Sequence, residues 1–276
     1  MPRSNFTRSA ILRLLAPLAL GLLATPSAAQ ESRSLTPLQI EIEKQQNRLN
    51  SVEVEERRDA VMRLGLLHHP AASRAALAGL KDSLAIVRVS AATAVLALPG
   101  DESAAALLPL LNDKDEFVRK ETAYALGKTR SRTATTPLSE LLTHEKKDGV
   151  RGAIVVALGD IGDEGAVVSL SQILRPEFAL TNSKKRSRKK ENLLVLRAAA
   201  HSLGQIGNRA ALPALLAVLQ DEQAETDVRR ESAIALGLIG DATALPALNA
   251  VLNADDPYLS RAAFDAARLI SRRRLQ

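Results

Sequence analysis

The stretch that decides the fold is Val150–Asp163, VRGAIVVALGDIGD, which returns at Val228–Asp241 as VRRESAIALGLIGD. Val150 to Gly159 are numbered here as slots one to ten. Gly65, Gly127, Gly159, Gly204 and Gly237 then set the register, with Leu96 and Arg268 in slot ten of two weaker copies. These seven positions lie 31, 31, 32, 45, 33 and 31 residues apart. A near-constant period across most of a chain is the signature of stacked, similar supersecondary units. Slot one reads Glu56, Val87, Val118, Val150, Val195, Val228 and Leu259; slot five reads Ala60, Ala91, Thr122, Ile154, Ala199, Ser232 and Ala263. Slot nine is Leu64, Val95, Leu126, Leu158, Leu203, Leu236 and Ala267. At 100° per residue, slots one, five, eight and nine share a face, so each copy carries an amphipathic helix. The slot-ten glycine lies near the helix end and is expected to serve termination. Ile161-Gly162-Asp163, Ile206-Gly207-Asn208 and Ile239-Gly240-Asp241 then make the turn, with Asp or Asn capping the next helix.

A second helix comes next in each copy, clearest in ESAAALLPLLND from residue 102 and RAALPALLAVLQD from residue 209. Pro213 and Pro246 match in place and are expected to bend an early turn, because proline removes a helical donor. With a start near Thr36-Pro37, where a first-turn proline suits a helix, the chain reads as all-α. The predicted architecture is an α-solenoid of about seven antiparallel helix pairs.

The pattern V-R-x-x-A-x-x-A-L-G-x-I-G-D, nearly complete at 150–163 and 228–241, resembles HEAT repeats, specifically the short kind named after phycobilisome lyases. The resemblance covers roughly residues 50–270. It implies a HEAT-like superhelix, with the V-R helices lining the concave face and the proline-bearing helices the convex one. One helix pair cannot bury both its faces alone, and stacking supplies the missing core.

Slot two is Arg57, Arg88, Arg119, Arg151 and Arg229, interrupted by Leu196 and Ser260. One reading is a cationic ladder for an anionic partner. The other, which the resemblance implies, is a set of arginines bridging loop carboxylates and helix ends between repeats. Slots three and seven project opposite the buried stripe and are expected to face the concave groove. There Tyr124, Val156, His201 and Ile234 form a partly apolar strip edged by Lys120, Arg197 and Arg230. Rows of exposed apolar residues mark partner sites, and Tyr and Arg are favoured anchors; the competing reading is that slot seven merely packs against the next repeat.

The 276 residues contain 37 Lys and Arg against 31 Asp and Glu, and no Cys or Trp. The missing cysteine excludes disulfides, zinc–thiolate sites, a thiol nucleophile and a lipid-modified N-terminal Cys. The low aromatic content, 2%, argues against base-stacking platforms for single strands. Charge is uneven along the chain. Residues 1–29 carry Arg3, Arg8 and Arg13 with no acid, then an apolar run Leu14–Leu23, then Ser27-Ala28-Ala29. This is the pattern of a signal peptide cleaved between Ala29 and Gln30, the apolar run being shorter than the roughly 20 residues of a span; retention as an anchor is the alternative. The expected location is therefore periplasmic or secreted, with 30–276 as the solenoid.

The 45-residue interval holds an insertion at about 175–192 that joins the two helices of one pair. Within it Lys184, Lys185, Arg186, Arg188, Lys189 and Lys190 put six bases in seven positions. Such a run is either a solvated loop or a contact for an anionic surface: lipid headgroups, acidic polysaccharide, nucleic acid or an acidic protein. Without the N-terminal segment and these six cations, 28 bases face 31 acids, so the high pI belongs to two local segments.

Candidate chemistry is sparse. Deoxyhypusine hydroxylase relatives hold two irons with several His-Glu pairs, whereas this chain has four His and one such pair, His144-Glu145. No phosphate-cradling glycine loop or nucleophile elbow is present in the sequence. No catalytic residue, metal ligand or cofactor is assigned. The expected function is an exported, non-catalytic scaffold binding a protein partner along its concave face, with the basic loop as an alternative, anion-binding element. A metal- or chromophore-dependent enzyme is the remote alternative.

Overall fold

The computed structural model describes residues 35–174 and 191–273. The chain divides into two units, Met1–Thr36 and Pro37–Gln276. The second consists, among the described residues, of helices and no strand. The V-R helices are α2 (Val54–Leu66), α4 (Ala85–Ala94), α6 (Glu116–Thr129), α8 (Asp148–Ile161), α10 (Leu193–Ile206), α12 (Thr226–Ile239) and α14 (Pro257–Arg273). Each is preceded by its pair partner: α1 (Pro37–Arg48), α3 (Pro70–Ala76), α5 (Gly100–Leu107), α7 (Thr135–His144), α9 (Val167–Ile173), α11 (Leu212–Gln220) and α13 (Leu245–Ala250). The predicted seven pairs are present, beginning at Pro37.

The V-R helices pack on one another in a continuous row, most extensively α6 with α8, α10 with α12 and α12 with α14. Slots one, five and nine are buried as expected in nearly every copy, but so is slot six: Val61, Ala92, Ala123, Val155, Ala200 and Ala233 are fully buried. An interior V-R helix is covered on three sides, by its pair partner and by a V-R helix before and after it. Slots six and ten look toward the next repeat.

That geometry corrects the reading of the slot-ten glycine. It does not end the helix, which continues two residues past Gly127, Gly159, Gly204 and Gly237. A Cβ on Gly127 would lie 2.8 Å from Cα of Ala157, one on Gly204 2.8 Å from Cα of Ala235, and one on Gly237 2.9 Å from Cα of Ala266. Gly65 meets Ala94 in the same way at 3.1 Å. Slot ten of one repeat thus sits on slot eight of the next, backbone to backbone. Where slot ten is Leu96, α4 ends before reaching it, at Ala94. At the far end, slot ten is Arg268 and slot six is Phe264. The guanidinium of Arg268 lies 6.0 Å from the ring centroid of Phe264, which is half-exposed.

Termination belongs instead to slot thirteen. Gly162, Gly207 and Gly240 adopt φ of +72°, +74° and +79°, and their N–H groups donate to Leu158, Leu203 and Leu236. Arg130 (φ 53°) and His68 (φ 45°) hold the equivalent left-handed position without the freedom of glycine. Slot fourteen then starts the next pair as anticipated. Ser131, Asp163, Asn208 and Asp241 each accept a backbone N–H two residues on, at the head of a short 3-10 turn. In the first copy His69 Nδ1 does the same for Ala71 N, at 3.1 Å. Pro213 and Pro246 stand in the first turn of α11 and α13, just after that 3-10 turn. They help to start these helices rather than bend them, since no donor is lost there.

Two substitutions separate these roles. Gly127→Ala forces a methyl into the α6–α8 backbone contact and is expected to destabilise by about 1–3 kcal/mol, despite alanine's better helix propensity. Arg130→Gly removes a left-handed non-glycine residue whose side chain makes no ion pair among the described residues, and is expected to stabilise by about 0.5–1 kcal/mol. Thermal melts followed by circular dichroism should move in opposite directions.

Candidate functional site

The arginine ladder is structural. Arg88 Nε and Nη2 donate to Asp113 at 2.7 and 2.8 Å, while Nη1 donates to the carbonyls of Asp82 and Ser83. Arg57 makes the same set with Asp82, Ser51 and Val52, and Arg119 with Glu145, Asp113 and Lys114. Each guanidinium clasps the loop before its own helix and forks onto the carboxylate of the next loop. Arg151 reaches across the insertion to Glu191 and also holds the Leu142 carbonyl. The stack therefore closes at Glu191 as if the extra residues were absent. Leu196 interrupts the ladder, leaving Asp221 to cap only its own loop through Gln223 N. Arg229 donates to the Leu219 carbonyl at 3.1 Å. These arginines are not the accessible cationic surface that one reading of slot two allowed.

The paired carboxylates are shifted accordingly. The Arg57 hydrogen bond holds Asp82 below the ordinary aspartate range. For Asp113 and Glu145 burial pushes upward, but Arg88 or Arg119 together with loop N–H donors prevail, so both are lowered. Glu145, half of the only His-Glu pair in the sequence, is thus committed to Arg119. Among the described residues no cluster of three or more His, Asp or Glu is placed to hold a metal.

The opposite face of each V-R helix carries the candidate partner residues. Val156, Arg197 and His201 line one depression of about 460 Å³ between α8 and α10, with Leu194, Ala198 and Gln205, and Glu231 at its rim. His201 Nδ1 lies 2.8 Å from Glu231 Oε1. Arg197 lies 3.8 Å from Asp227. Arg230 lies 3.1 Å from Asp227 and 3.7 Å from Asp256, and its guanidinium sits 5.2 Å from the Tyr258 ring centroid. Ile234 is exposed one helix further on, and Tyr124 is half-buried against the core. Lys120 is partly exposed on α6. The strip is therefore one surface in which three of the seven residues share a hollow and the others flank it.

Sequence reasoning missed slot zero, the residue before the V-R valine. At 100° per residue slots zero, seven and eleven fall within about 40° of one another. Slot zero holds Ile86, Phe117, Leu194 and Tyr258, exposed by 44%, 64%, 68% and 69%. Slot eleven adds Leu66, Leu238 and Leu269, all exposed. The signal was available, since an apolar residue precedes the V-R pattern in four copies. The six cations from Lys184 to Lys190 lie outside the described residues.

A family model of HEAT repeats matches residues 104–179 and 184–268. The chain belongs to the HEAT-repeat family. HEAT repeats form helical scaffolds for protein interaction, and the two matched stretches meet at the basic insertion. Among solved structures, the HEAT-repeat chain resembles the complex of CpcE and CpcF of phycocyanin lyase from Nostoc sp. PCC7120, at 23% identity, over 90% of this chain and 98% of that one, with a TM-score of 0.50. Human deoxyhypusine hydroxylase in complex with glycerol is 19% identical over 84% of this chain and 96% of that one, at a TM-score of 0.37. The likeness to the phycocyanin lyase complex is one of fold. No curated protein matches the sequence. No helix among the described residues is long and apolar enough to cross a membrane.

The ladder makes a pH prediction. Asp82, Asp113 and Glu145 have folded pKa values below their unfolded ones. Their contribution is complete above the unfolded carboxylate range of about 3.9–4.3 and is lost as pH falls through the folded values. Denaturation midpoints should drop below about pH 4, and less steeply in Asp113→Asn. Arg88→Ala at neutral pH strands a mostly buried carboxylate and should cost about 2–4 kcal/mol, measured by urea unfolding.

Proposed function

We propose that this HEAT-repeat chain is an exported scaffold without catalysis of its own, and that it binds a protein partner through the outward face of the V-R row. The observation that carries this is the concentration of exposed large apolar residues on that face. Met62, Leu66, Ile86, Phe117, Leu194, Ile234, Leu238, Tyr258 and Leu269 all lie in slots zero, seven or eleven. Scattered surface apolar residues need no explanation, but a recurrent line of them on one face does. The depression at Val156, Arg197 and His201 supplies a place where a partner side chain can be enclosed, and the slot-three cations Lys120, Arg197 and Arg230 edge the line. Export rests on the N-terminal pattern alone: three arginines, a short apolar run and small residues before Gln30.

A second reading has its own observation. Six cations stand in seven positions of the sequence where the repeat spacing lengthens, and the ladder continues from Arg151 to Glu191 on the far side of that stretch in sequence. An anionic surface, either a polymer or lipid headgroups, would be held there by charge. Affinity capture from the exported fraction distinguishes the two. For the first reading, Tyr124→Ala with Ile234→Asp should lower recovery of the captured partner at least tenfold, while deletion of 183–191 leaves it unchanged. For the second, the deletion abolishes capture, and binding weakens steeply with salt. The retained chain should begin at Gln30 by intact mass.

A further inference from the structure

The row face is not uniform along its length, and the departure is centred on α8. Slot zero there is Gly149 and slot three is Gly152, the only copy with glycine at both. Unlike the slot-ten glycines, these have no packing reason inside the molecule. A Cβ on Gly152 would meet nothing within 4 Å, and one on Gly149 would meet only Cδ of Lys120, at 4.0 Å. Beside this bare stretch of helix lies the depression floored by Val156, Leu194 and Ala198. These three and the aliphatic stems beside them give most of its exposed lining, which suits an aliphatic or aromatic side chain, while the acids at its edge are already engaged, Asp160 by Lys128 and Glu231 by His201.

The charges say what should flank that side chain. Lys120 extends from α6 over Gly149 and forms no ion pair among the described residues. In α10 and α12 the slot-three cation finds a partner at slot zero of the next V-R helix, as Arg197 does at Asp227 and Arg230 at Tyr258. Glycine in slot zero of α8 leaves Lys120 with none. Glu121 is no substitute, because slot four looks back to the preceding helix, as Glu231 does to His201. On the other side of α8, Arg197 shares Asp227 with Arg230, which holds it more closely, at 3.1 against 3.8 Å. Two undercompensated cations thus bracket an apolar hollow.

We propose that the α8 segment of the row is a docking site for a polypeptide segment carrying one large apolar side chain and at least one acidic residue within about three positions of it. The apolar side chain enters the hollow between α8 and α10. The peptide main chain crosses α8 on Gly149 and Gly152, where a side chain would hold it off. The carboxylates face Lys120 and Arg197. This rests on the reading of the row face as the partner surface and assigns the partner's chemistry.

The test uses a displayed library of random 12-residue peptides selected on the full chain. Enriched peptides should pair a large apolar residue with Asp or Glu. Their dissociation constants should rise at least tenfold on Gly152→Gln and on Lys120→Glu combined with Arg197→Glu. Gly152→Gln should melt at or above the parent temperature, since the new side chain has open space, so the loss cannot come from unfolding. Enriched peptides lacking acids, or bound equally by Gly152→Gln, overturn the proposal. If those peptides are instead lost on Met62→Asp or Ile234→Asp, the row remains the partner surface and only its α8 assignment falls. If no row variant changes binding, or no peptide is enriched, both fall.

Discussion

The rest of this solenoid depends on one steric constraint, the contact of a slot-ten glycine with the slot-eight residue of the next repeat. Gly127 on Ala157, Gly204 on Ala235 and Gly237 on Ala266 bring successive V-R helices together backbone to backbone. Dispersion falls off steeply with separation, so close approach lets small side chains bury a helix on three sides. That is why Ala, Val and Leu fill the core and why the chain manages with no Trp and 2% aromatics. Where the constraint lapses the structure changes: the helix that carries Leu96 in slot ten ends early, at Ala94.

A second system runs along the loop edge and is polar. Arg57, Arg88, Arg119 and Arg151 each tie two loops, and the carboxylates they hold also accept N–H groups of the loop just before the next V-R helix. Such mostly buried pairs set register more than they add net stability, because desolvation offsets much of the attraction. The Arg151–Glu191 pair illustrates the consequence. It spans 40 residues where its equivalents span 25 or 26, so the ladder keeps its geometry across the long interval.

With core and edge occupied by structure, the outward face of the V-R row is where the repeats differ. Slot zero ranges from Phe117 and Tyr258 to Gly149 and Asp227, and slot three from Arg230 to Gly152. The variation generates a hollow at α8–α10 within an otherwise apolar line, with His201 held by Glu231 at its rim. On the proposed reading, that irregular face is what an extended partner would recognise on a regular scaffold.

The helices, their number and their order are legible from residue types alone, because a 31–33-residue period carries the 3.6-residue pattern inside it. The same fingerprint, through the resemblance it carries, indicated that slot-two arginines would bridge loops. Slots three and seven were placed on the open face by angular arithmetic, but slot zero was overlooked because it precedes the recognisable pattern. What the glycines do became visible only once the repeats were stacked. Gly127 and Gly162 look alike in sequence, two glycines near a helix end. One is required by a neighbouring helix 30 residues away, and the other by its own left-handed backbone. Gly152 meets neither need. Local sequence specifies φ and ψ preferences and a helix's apolar face; which backbone approaches which is a property of packing between repeats.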